Sequence, residues 1–331
     1  MGFGPRGSFK AVAAPAPPVV GWVDLGSPIS GELGVYALAH CGSGIILAGT
    51  YNHAHIARSA NYGTSWADIS LPVSGEQSVP DVVYCGGGIA IAGTGGTGHI
   101  LRSADYGLTW SDITTPAAEI AITSLCYLGG GIVIAGTGNL GKIFRSTDYG
   151  LTWSDQGRLY INGNLVGHIV DLGGGVVIAD TYSYTYNFSA VYRSTDWGLT
   201  WSFRSVPLSP YTITGMCYDS GVSRLYAAIA VGSHGVLLYS TDQGLTWSSI
   251  DSYPFPDSKW AASLLYIGSS TLYAGLFGGK IAISADDGNT WIEDYSTGED
   301  YVYTLLDIGS GIEMAGTAWH AKVFRKGSVP P

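Results

Sequence analysis

Carboxylates at turns are one group in this sequence that could carry out chemistry. A glycoside hydrolase needs two carboxyl groups about 5 to 10 Å apart. Six acids fall in or beside predicted turns that share one face of the fold: Glu32, Glu76, Glu119, Asp180, Glu299 and Asp300. Because acids are common in surface turns, the sequence favours a structural role for them. We therefore predict no catalytic residue and keep hydrolysis as the alternative.

Aromatic side chains are the second such group. A stretch from Tyr182 to Phe188 is an insertion that holds three tyrosines beside Asn and Ser. Exposed tyrosine and tryptophan suit a sugar, whose apolar ring face stacks on aromatic rings while its hydroxyls form hydrogen bonds. We therefore predict a ligand-binding site made of Tyr182, Tyr184, Tyr186, Tyr160, Trp260 and Trp319. The alternative is that these rings pack the loops against one another.

Basic residues recur at one further position of the sequence. The first residue of several predicted third strands is lysine or histidine: His55, His99, Lys142, Lys280 and Lys322. Such a ring of bases could attract an anionic group. The alternative is that they are solvated residues at a strand start, and the net charge of −10 favours this interpretation.

An eight-residue pattern marks the elements that must position these side chains. Ser-x-Asp-x-Gly-x-Thr-Trp recurs six times, with its first residue at Ser59, Ser103, Ser146, Ser194, Ser240 and Ser284. Asp and Ser side chains can bond the backbone N–H groups of a short turn, and Gly supplies positive φ. The pattern thus predicts a turn between two strands. The five acids in it are predicted to be structural rather than calcium ligands, because the pattern lacks the further carboxylates of a calcium site: Asp105, Asp148, Asp196, Asp242 and Asp286.

This pattern resembles the Asp-box (BNR) repeat of sialidase-like β-propellers, and the resemblance covers nearly all of the chain from Trp22 to Arg325. In that family the box joins the third and fourth strands of a blade. The family includes sialidases, xyloglucan hydrolases, photosystem assembly factors and surface or virion proteins, so the resemblance implies fold more than function. A sialidase holds its substrate with three arginines on the face opposite the boxes. Here the arginines recur beside the boxes, where we expect them to pack blades together: Arg58, Arg102, Arg145, Arg193 and Arg325.

The repeat predicts an all-β, seven-bladed β-propeller of four-stranded antiparallel blades. Its tryptophans, beginning at Trp22, are spaced 44, 44, 43, 48, 46 and 44 residues apart, as in propeller blades. The last repeat lacks a box, and Trp22 has no box before it. We therefore expect the N-terminal strand around Trp22 to join three C-terminal strands and close the ring. The predicted organisation is an extended arm over 1–18, one propeller over 19–328 and a tail over 329–331.

Composition excludes some functions. A net charge of −10 argues against a nucleic-acid partner, and no run of about 20 apolar residues predicts a membrane span. The four cysteines occupy matching places in different repeats, so we expect buried free thiols rather than disulfides. There is no CxxC or zinc spacing, and we predict no metal and no cofactor.

Together these patterns predict a non-enzymatic binding or structural module. We expect a surface or virion protein, such as a phage tail or decoration protein, that presents an aromatic loop face to carbohydrate or protein. The N-terminal arm is expected to be either a flexible terminus or a tether that docks on a larger assembly. The absence of a signal peptide favours a virion over a secreted adhesin and leaves a cytoplasmic location open. The alternatives are a glycoside hydrolase of the Asp-box type and an intracellular assembly scaffold.

Overall fold

The protein is a ring of seven four-stranded antiparallel sheets, or blades. The computed structural model describes residues 21–113, 115, 117–159, 165–183, 188–204, 211–252 and 254–329. The predicted arm over 1–18 lies outside the described residues. A single pairing, Tyr51 with Ser78, joins blades 1 and 2 edge to edge.

Each blade takes consecutive strands from the inside of the ring to the outside, apart from the blade that contains both chain ends. Blades 1 to 3 consist of β2 (Gly34–His40), β3 (Ile46–Tyr51), β4 (Ile56–Ser59) and β5 (Ala67–Ile69); β6 (Ser78–Gly86), β7 (Ile89–Gly95), β8 (Ile100–Ser103) and β9 (Ser111–Ile113); and β10 (Ile122–Gly129), β11 (Ile132–Thr137), β12 (Lys142–Ser146) and β13 (Ser154–Arg158). Blades 4 to 6 consist of β14 (Leu165–Gly173), β15 (Val176–Ser183), β16 (Phe188–Ser194) and β17 (Ser202–Arg204); β18 (Thr212–Asp219), β19 (Arg224–Val231), β20 (His234–Ser240) and β21 (Ser248–Ser252); and β22 (Ala261–Gly268), β23 (Thr271–Leu276), β24 (Lys280–Ser284) and β25 (Ile292–Ser296). Blade 7 consists of β26 (Val302–Gly309), β27 (Ile312–Thr317), β28 (Val323–Lys326) and β1 (Val23–Asp24), and a 3-10 turn (Pro256–Ser258) precedes blade 6.

The ring closes where the two ends of the chain meet, as the sequence predicts. Strand β1 pairs with β28, with Val23 opposite Arg325 and Asp24 opposite Phe324. Just before β1, the indole of Trp22 is 7% exposed, and its Nε1 donates to Asp294 Oδ2 at 2.6 Å. The innermost strands contact one another all the way round, including β26 with β2. Both the seven blades and the closing arrangement are thereby confirmed.

The core lies between blades, and glycine in the second strands permits the close packing. A Cβ on Gly136 would lie 2.6 Å from Val166 of the next blade, and one on Gly93 would lie 2.6 Å from Ile122. At these positions the branched side chain near the start of the next inner strand therefore packs directly on the glycine backbone of the preceding blade. This close packing explains why nearly every residue of β11 is buried, although side chains of a strand project from both faces of its sheet.

Each box is a turn held by its own side chains. In blade 3, Ser146 Oγ donates to Asp148 Oδ1 (2.7 Å) and accepts from the Gly150 amide (2.9 Å). The Asp148 carboxylate accepts from the Thr152 amide and hydroxyl at 2.9 and 2.6 Å. Tyr149 and Gly150 both have positive φ. The predicted structural role of the box acids is thus visible in their hydrogen bonds.

The same hydrogen bonds make the box carboxylates more acidic. Burial alone would raise the pKa of Asp242, but bonds from Thr246 and Ser240 outweigh it and lower the pKa to about 2. The pKa values of Asp105, Asp148 and Asp196 are lowered for the same reason. The pKa of Asp286 is also lowered, chiefly by Thr290. These carboxylates are therefore ionised acceptors at neutral pH.

The repeated arginines join each blade to the next. The Arg58 guanidinium donates to the Tyr106 carbonyl at 2.8 Å, and Arg102 donates to the Tyr149 carbonyl at the same distance. Further pairs connect the remaining arginines with the box of the following blade: Arg145 with Trp197, Arg193 with Gln243 and Arg325 with Tyr62. Their predicted role in packing between blades is confirmed.

The cysteines are free thiols in the structure. Cys41, Cys85 and Cys126 are buried and Cys217 is half-buried. Burial raises the pKa of the first three to about 12, so these thiols are protonated and unreactive at neutral pH. Among the described residues there is no helix with the length and apolar character needed to span a bilayer.

Replacing Trp22 by alanine should destabilise the fold by about 3–5 kcal/mol, because it leaves a cavity and removes an anchor of the closing strand. Denaturant unfolding would measure this. The matched control is Trp319→Ala, which removes an indole that is 56% exposed and should cost less than about 1 kcal/mol. Equal losses in the two variants would contradict closure through Trp22.

Asp148→Ala should cost about 1–2 kcal/mol, since two donors of Thr152 and one of Ser146 lose their acceptor. Asp148→Asn should cost less, because blade 1 already uses Asn61, whose Oδ1 accepts from the Ser65 amide at 2.9 Å. Thermal unfolding of both variants checks the order. An asparagine variant as unstable as the alanine variant would argue against hydrogen bonding as the role of the box.

Candidate functional site: an aromatic pocket on the loop face

The blades give the ring two different faces. The boxes and the turns between first and second strands lie on one side, which we term the box face. The loops from a fourth strand to the next blade and from a second to a third strand lie on the other, the loop face. The loops vary in sequence whereas the boxes repeat, so the loop face is where a specific site is expected.

An aromatic pocket opens on the loop face between blades 7 and 1. It is a cavity of about 330 Å³ lined by Leu33, Tyr36, Tyr51, Tyr301, Tyr303, Ala318 and Trp319. Inner strands supply two of its rings, and the loop between β27 and β28 supplies the half-exposed Trp319. Five of the seven lining residues are aromatic, and none carries a charge at neutral pH.

The tyrosine rings hold one another in place. Tyr36 stacks on Tyr51 with centroids 5.0 Å apart, and Tyr301 stacks on Tyr303 at 5.2 Å. The two pairs meet edge to face, with Tyr36 and Tyr303 at 4.8 Å and 84°. Burial raises the pKa of both Tyr36 and Tyr303 above the usual value. These are favourable aromatic geometries, and they give the pocket rigid, uncharged walls.

The row of rings continues from this pocket toward blade 6. Tyr301 contacts Phe277 edge-on at 4.6 Å, and Trp260 lies 5.1 Å from Phe277 and 6.2 Å from Tyr301. Trp260 and Tyr182 line a second cavity of about 270 Å³ at the mouth of the central channel. Tyr303 lines both cavities, so the two cavities adjoin at this ring.

The structure brings some predicted ligand residues together and leaves others undescribed. Trp260 and Tyr182 line the second cavity and Trp319 lines the aromatic pocket. Tyr182 lies in strand β15, opposite Ser189, so the insertion lengthens the hairpin of β15 and β16. Three of the predicted residues lie outside the described residues: Tyr160, Tyr184 and Tyr186.

Sequence reasoning missed Tyr36, Tyr51 and Tyr303. Tyr36 and Tyr303 each follow a buried valine near the start of an inner strand, at a position that borders the channel. The other five blades have smaller residues at the equivalent position: Pro80, Thr123, Gly167, Thr214 and Ala262. A tyrosine in two adjacent blades where the others are small was the signal that could have identified them.

The loop-face acids are mostly buried, which corrects the expectation of acids in exposed turns. Glu32, Glu76, Glu119, Asp180 and Glu299 are all buried, whereas Asp300 is exposed. Asp180 lies within β15 rather than in a turn. Burying a carboxylate is costly without a partner, and most of these acids have one. Glu32 lies 2.9 Å from His53 Nδ1, and the Thr97 hydroxyl donates to Glu76.

The ring of bases is neutralised by acids. Each predicted base has a carboxylate of the fourth strand within 3.0 Å: His55 with Asp68, His99 with Asp112, Lys142 with Asp155, Lys280 with Glu293 and Lys322 with Asp24. In blades 1, 2, 3 and 7 a buried glutamate of the preceding loop lies within 4.0 Å on the other side of the base. These bases are therefore neither free solvated residues nor an open anion site.

A charged network lies in the central channel. Asp81 Oδ2 accepts from the Leu125 amide of the next blade at 2.7 Å, and burial raises the pKa of Asp81 to about 6. His168 Nδ1 lies 2.8 Å from Asp180 Oδ1. Burial lowers the pKa of His168, but Asp180 and Asp81 outweigh this and raise it. Among the described residues, no three acids, histidines or cysteines converge on a metal site.

The comparisons with known proteins agree on the repeat and the fold. The model of the BNR/Asp-box repeat family matches residues 238–249, which include the fifth box. No curated protein matches the chain in sequence. The protein is a β-propeller that carries BNR/Asp-box repeats.

Solved structures similar to this propeller include YCF48 bound to a D1 peptide, at 19% identity and a TM-score of 0.75, covering 95% of this chain and 99% of that chain. YCF48 from Cyanidioschyzon merolae is 16% identical with a TM-score of 0.71, covering 92% and 98%. The GH74 xyloglucanase from Xanthomonas campestris is 14% identical with a TM-score of 0.68, covering 91% of this chain but 52% of that one. At these identities the likeness establishes the fold alone.

Asp81→Asn should change the pH dependence of the propeller's stability. With the pKa raised from 3.8 to about 6, the folded protein binds a proton between pH 4 and 6 that the unfolded chain has lost. Stability from this group is therefore present below pH 4 and lost as the pH rises through 6. The difference in the free energy of unfolding between Asp81→Asn and wild type should therefore shift by about 2 kcal/mol in favour of the variant from pH 4 to pH 7. Urea unfolding of both proteins at the two pH values would measure it. The exposed-acid control Asp300→Asn should behave as wild type, and a wild-type profile for Asp81→Asn would contradict the assignment.

Proposed function

We propose that this propeller is a non-enzymatic recognition module that binds carbohydrate through the aromatic pocket. The observation that carries the proposal is the uncharged lining of the pocket, with four tyrosines and the half-exposed Trp319. Pyranose rings stack on aromatic faces, and tyrosine hydroxyls exchange hydrogen bonds with sugar hydroxyls. The stacked tyrosines are already ordered by one another, so little conformational entropy is lost on binding.

The state of the carboxylates supports a binding role over hydrolysis. A retaining or inverting glycosidase needs one acid to donate a proton and a second to act as nucleophile or base. Near the pocket, Glu299 is buried and lies 2.9 Å from His320 and 3.2 Å from Lys322. Glu32 is engaged by His53. Asp300, beside Tyr301, is exposed. The other five loop-face acids are buried, so none of them forms an exposed pair with it.

We also propose that the protein is located on a virion or on a cell surface. The chain is rich in Gly and Tyr, with 49 and 22 residues respectively, and only 12% of its residues are charged. This composition suits a rigid display protein on a particle or cell surface. A protein partner is the second candidate, because the similar propeller YCF48 is seen bound to a D1 peptide.

Trp319→Ala should weaken glycan binding at least tenfold, since loss of a stacking platform removes about 1.4 kcal/mol or more. Binding on a glycan array, followed by titration of each positive glycan, would measure the change. The matched control is Trp197→Ala, which removes a tryptophan that is also exposed and at positive φ but lies on the box face. Wild-type binding by Trp319→Ala, or equal losses in both variants, would place the site elsewhere.

A further inference from the structure

We infer that the ligand of the aromatic pocket is an uncharged saccharide and that the site discriminates against sugars bearing carboxylate or sulfate groups. This inference rests on the proposed function and adds the charge class of the ligand. It follows from the way in which the two bases that follow Trp319 in its loop, His320 and Lys322, are already paired with acids.

Lys322, a base close to Trp319 in sequence, is held between two carboxylates. Lys322 ends the loop that carries Trp319, and its Nζ lies 3.0 Å from Asp24 Oδ2 and 3.2 Å from Glu299 Oε1. The other oxygen of Glu299 lies 2.9 Å from His320 Nδ1. This cluster provides no uncommitted positive charge for an acidic ligand.

Redirecting Lys322 toward a ligand would be costly. The side chain of Glu299 is 2% exposed, so withdrawing Lys322 would leave a buried carboxylate less well compensated, which is strongly unfavourable. The raised pKa of Lys322, caused first by its bond to Asp24 and then by that to Glu299, agrees with this commitment.

The wider electrostatics act in the same direction. Asp300 is an exposed carboxylate next to Tyr301 of the pocket, and the chain as a whole carries a net charge of −10. The other third-strand bases named above each lie within 3.0 Å of a fourth-strand carboxylate. An anionic sugar would therefore meet a negative potential, whereas a neutral sugar would lose nothing by it.

Matched pairs of glycans test the inference. The probes are N-acetyllactosamine with its α2,3-sialylated form, and cello-oligosaccharides with their C6-oxidised forms, titrated at low salt. In every pair that binds through Trp319, we expect the neutral member to bind at least tenfold more tightly. An acidic member that binds equally or more tightly, and still depends on Trp319, would overturn the inference and leave carbohydrate binding intact. Absence of Trp319-dependent binding to any glycan of the array would overturn both.

Removing one carboxylate of the cluster tests the cause. Asp24→Asn keeps the shape but leaves Lys322 with one acid, so binding of the acidic member should rise about threefold or more while the neutral member is unchanged. The matched control is Asp155→Asn, since Lys142 is held in the same way by Asp155 and Glu119 but in blade 3, away from the pocket. An unchanged ratio in Asp24→Asn, or the same change in both variants, would overturn the electrostatic explanation. Thermal unfolding of both variants ensures that folded proteins are compared.

Discussion

The pairing of β1 with β28 is the contact on which the rest of the structure depends. It converts a row of blades into a closed ring in which the sheet edges that remain are short. Its energetic anchor is Trp22, buried and hydrogen-bonded to Asp294 of the preceding blade. The same strand supplies Asp24 to the ion pair with Lys322. Closure therefore fixes both the fold and the charge balance beside the aromatic pocket.

The fold was largely predictable because its determinants are local. Each box carries its own hydrogen-bonding residues within eight positions, and a tryptophan follows at a regular interval, so blade number and closure could be counted. The site was predictable only in part. Trp319 and Trp260 lie in variable loops and were predicted as ligand residues. Tyr36 and Tyr303 lie in strands and were not. Their position beside the channel depends on strand register and on the contact between Tyr36 and Tyr303, which are far apart in sequence.

Charge is the property that sequence inspection judged least well. A repeated base at the start of third strands could be seen, but its partners come from a fourth strand and from the preceding loop. Lys322 and Asp24, for example, lie at opposite ends of the sequence. The acids likewise looked like candidates for catalysis until their burial and their pairing with His53, His320 and the lysines were known. Once these pairs are counted, the loop face offers mainly aromatic and neutral groups.

The aromatic pocket also joins the beginning of the chain to its end. Tyr36 and Tyr51 are made early in translation, whereas Tyr301, Tyr303 and Trp319 are made at least 250 residues later. A truncated product that lacks blade 7 would have only half of the pocket, and the surfaces of blades 6 and 1 that pack on blade 7 would be exposed. The pocket is complete only where blades 7 and 1 meet, so the ligand proposed for it would contact both sides of the ring closure.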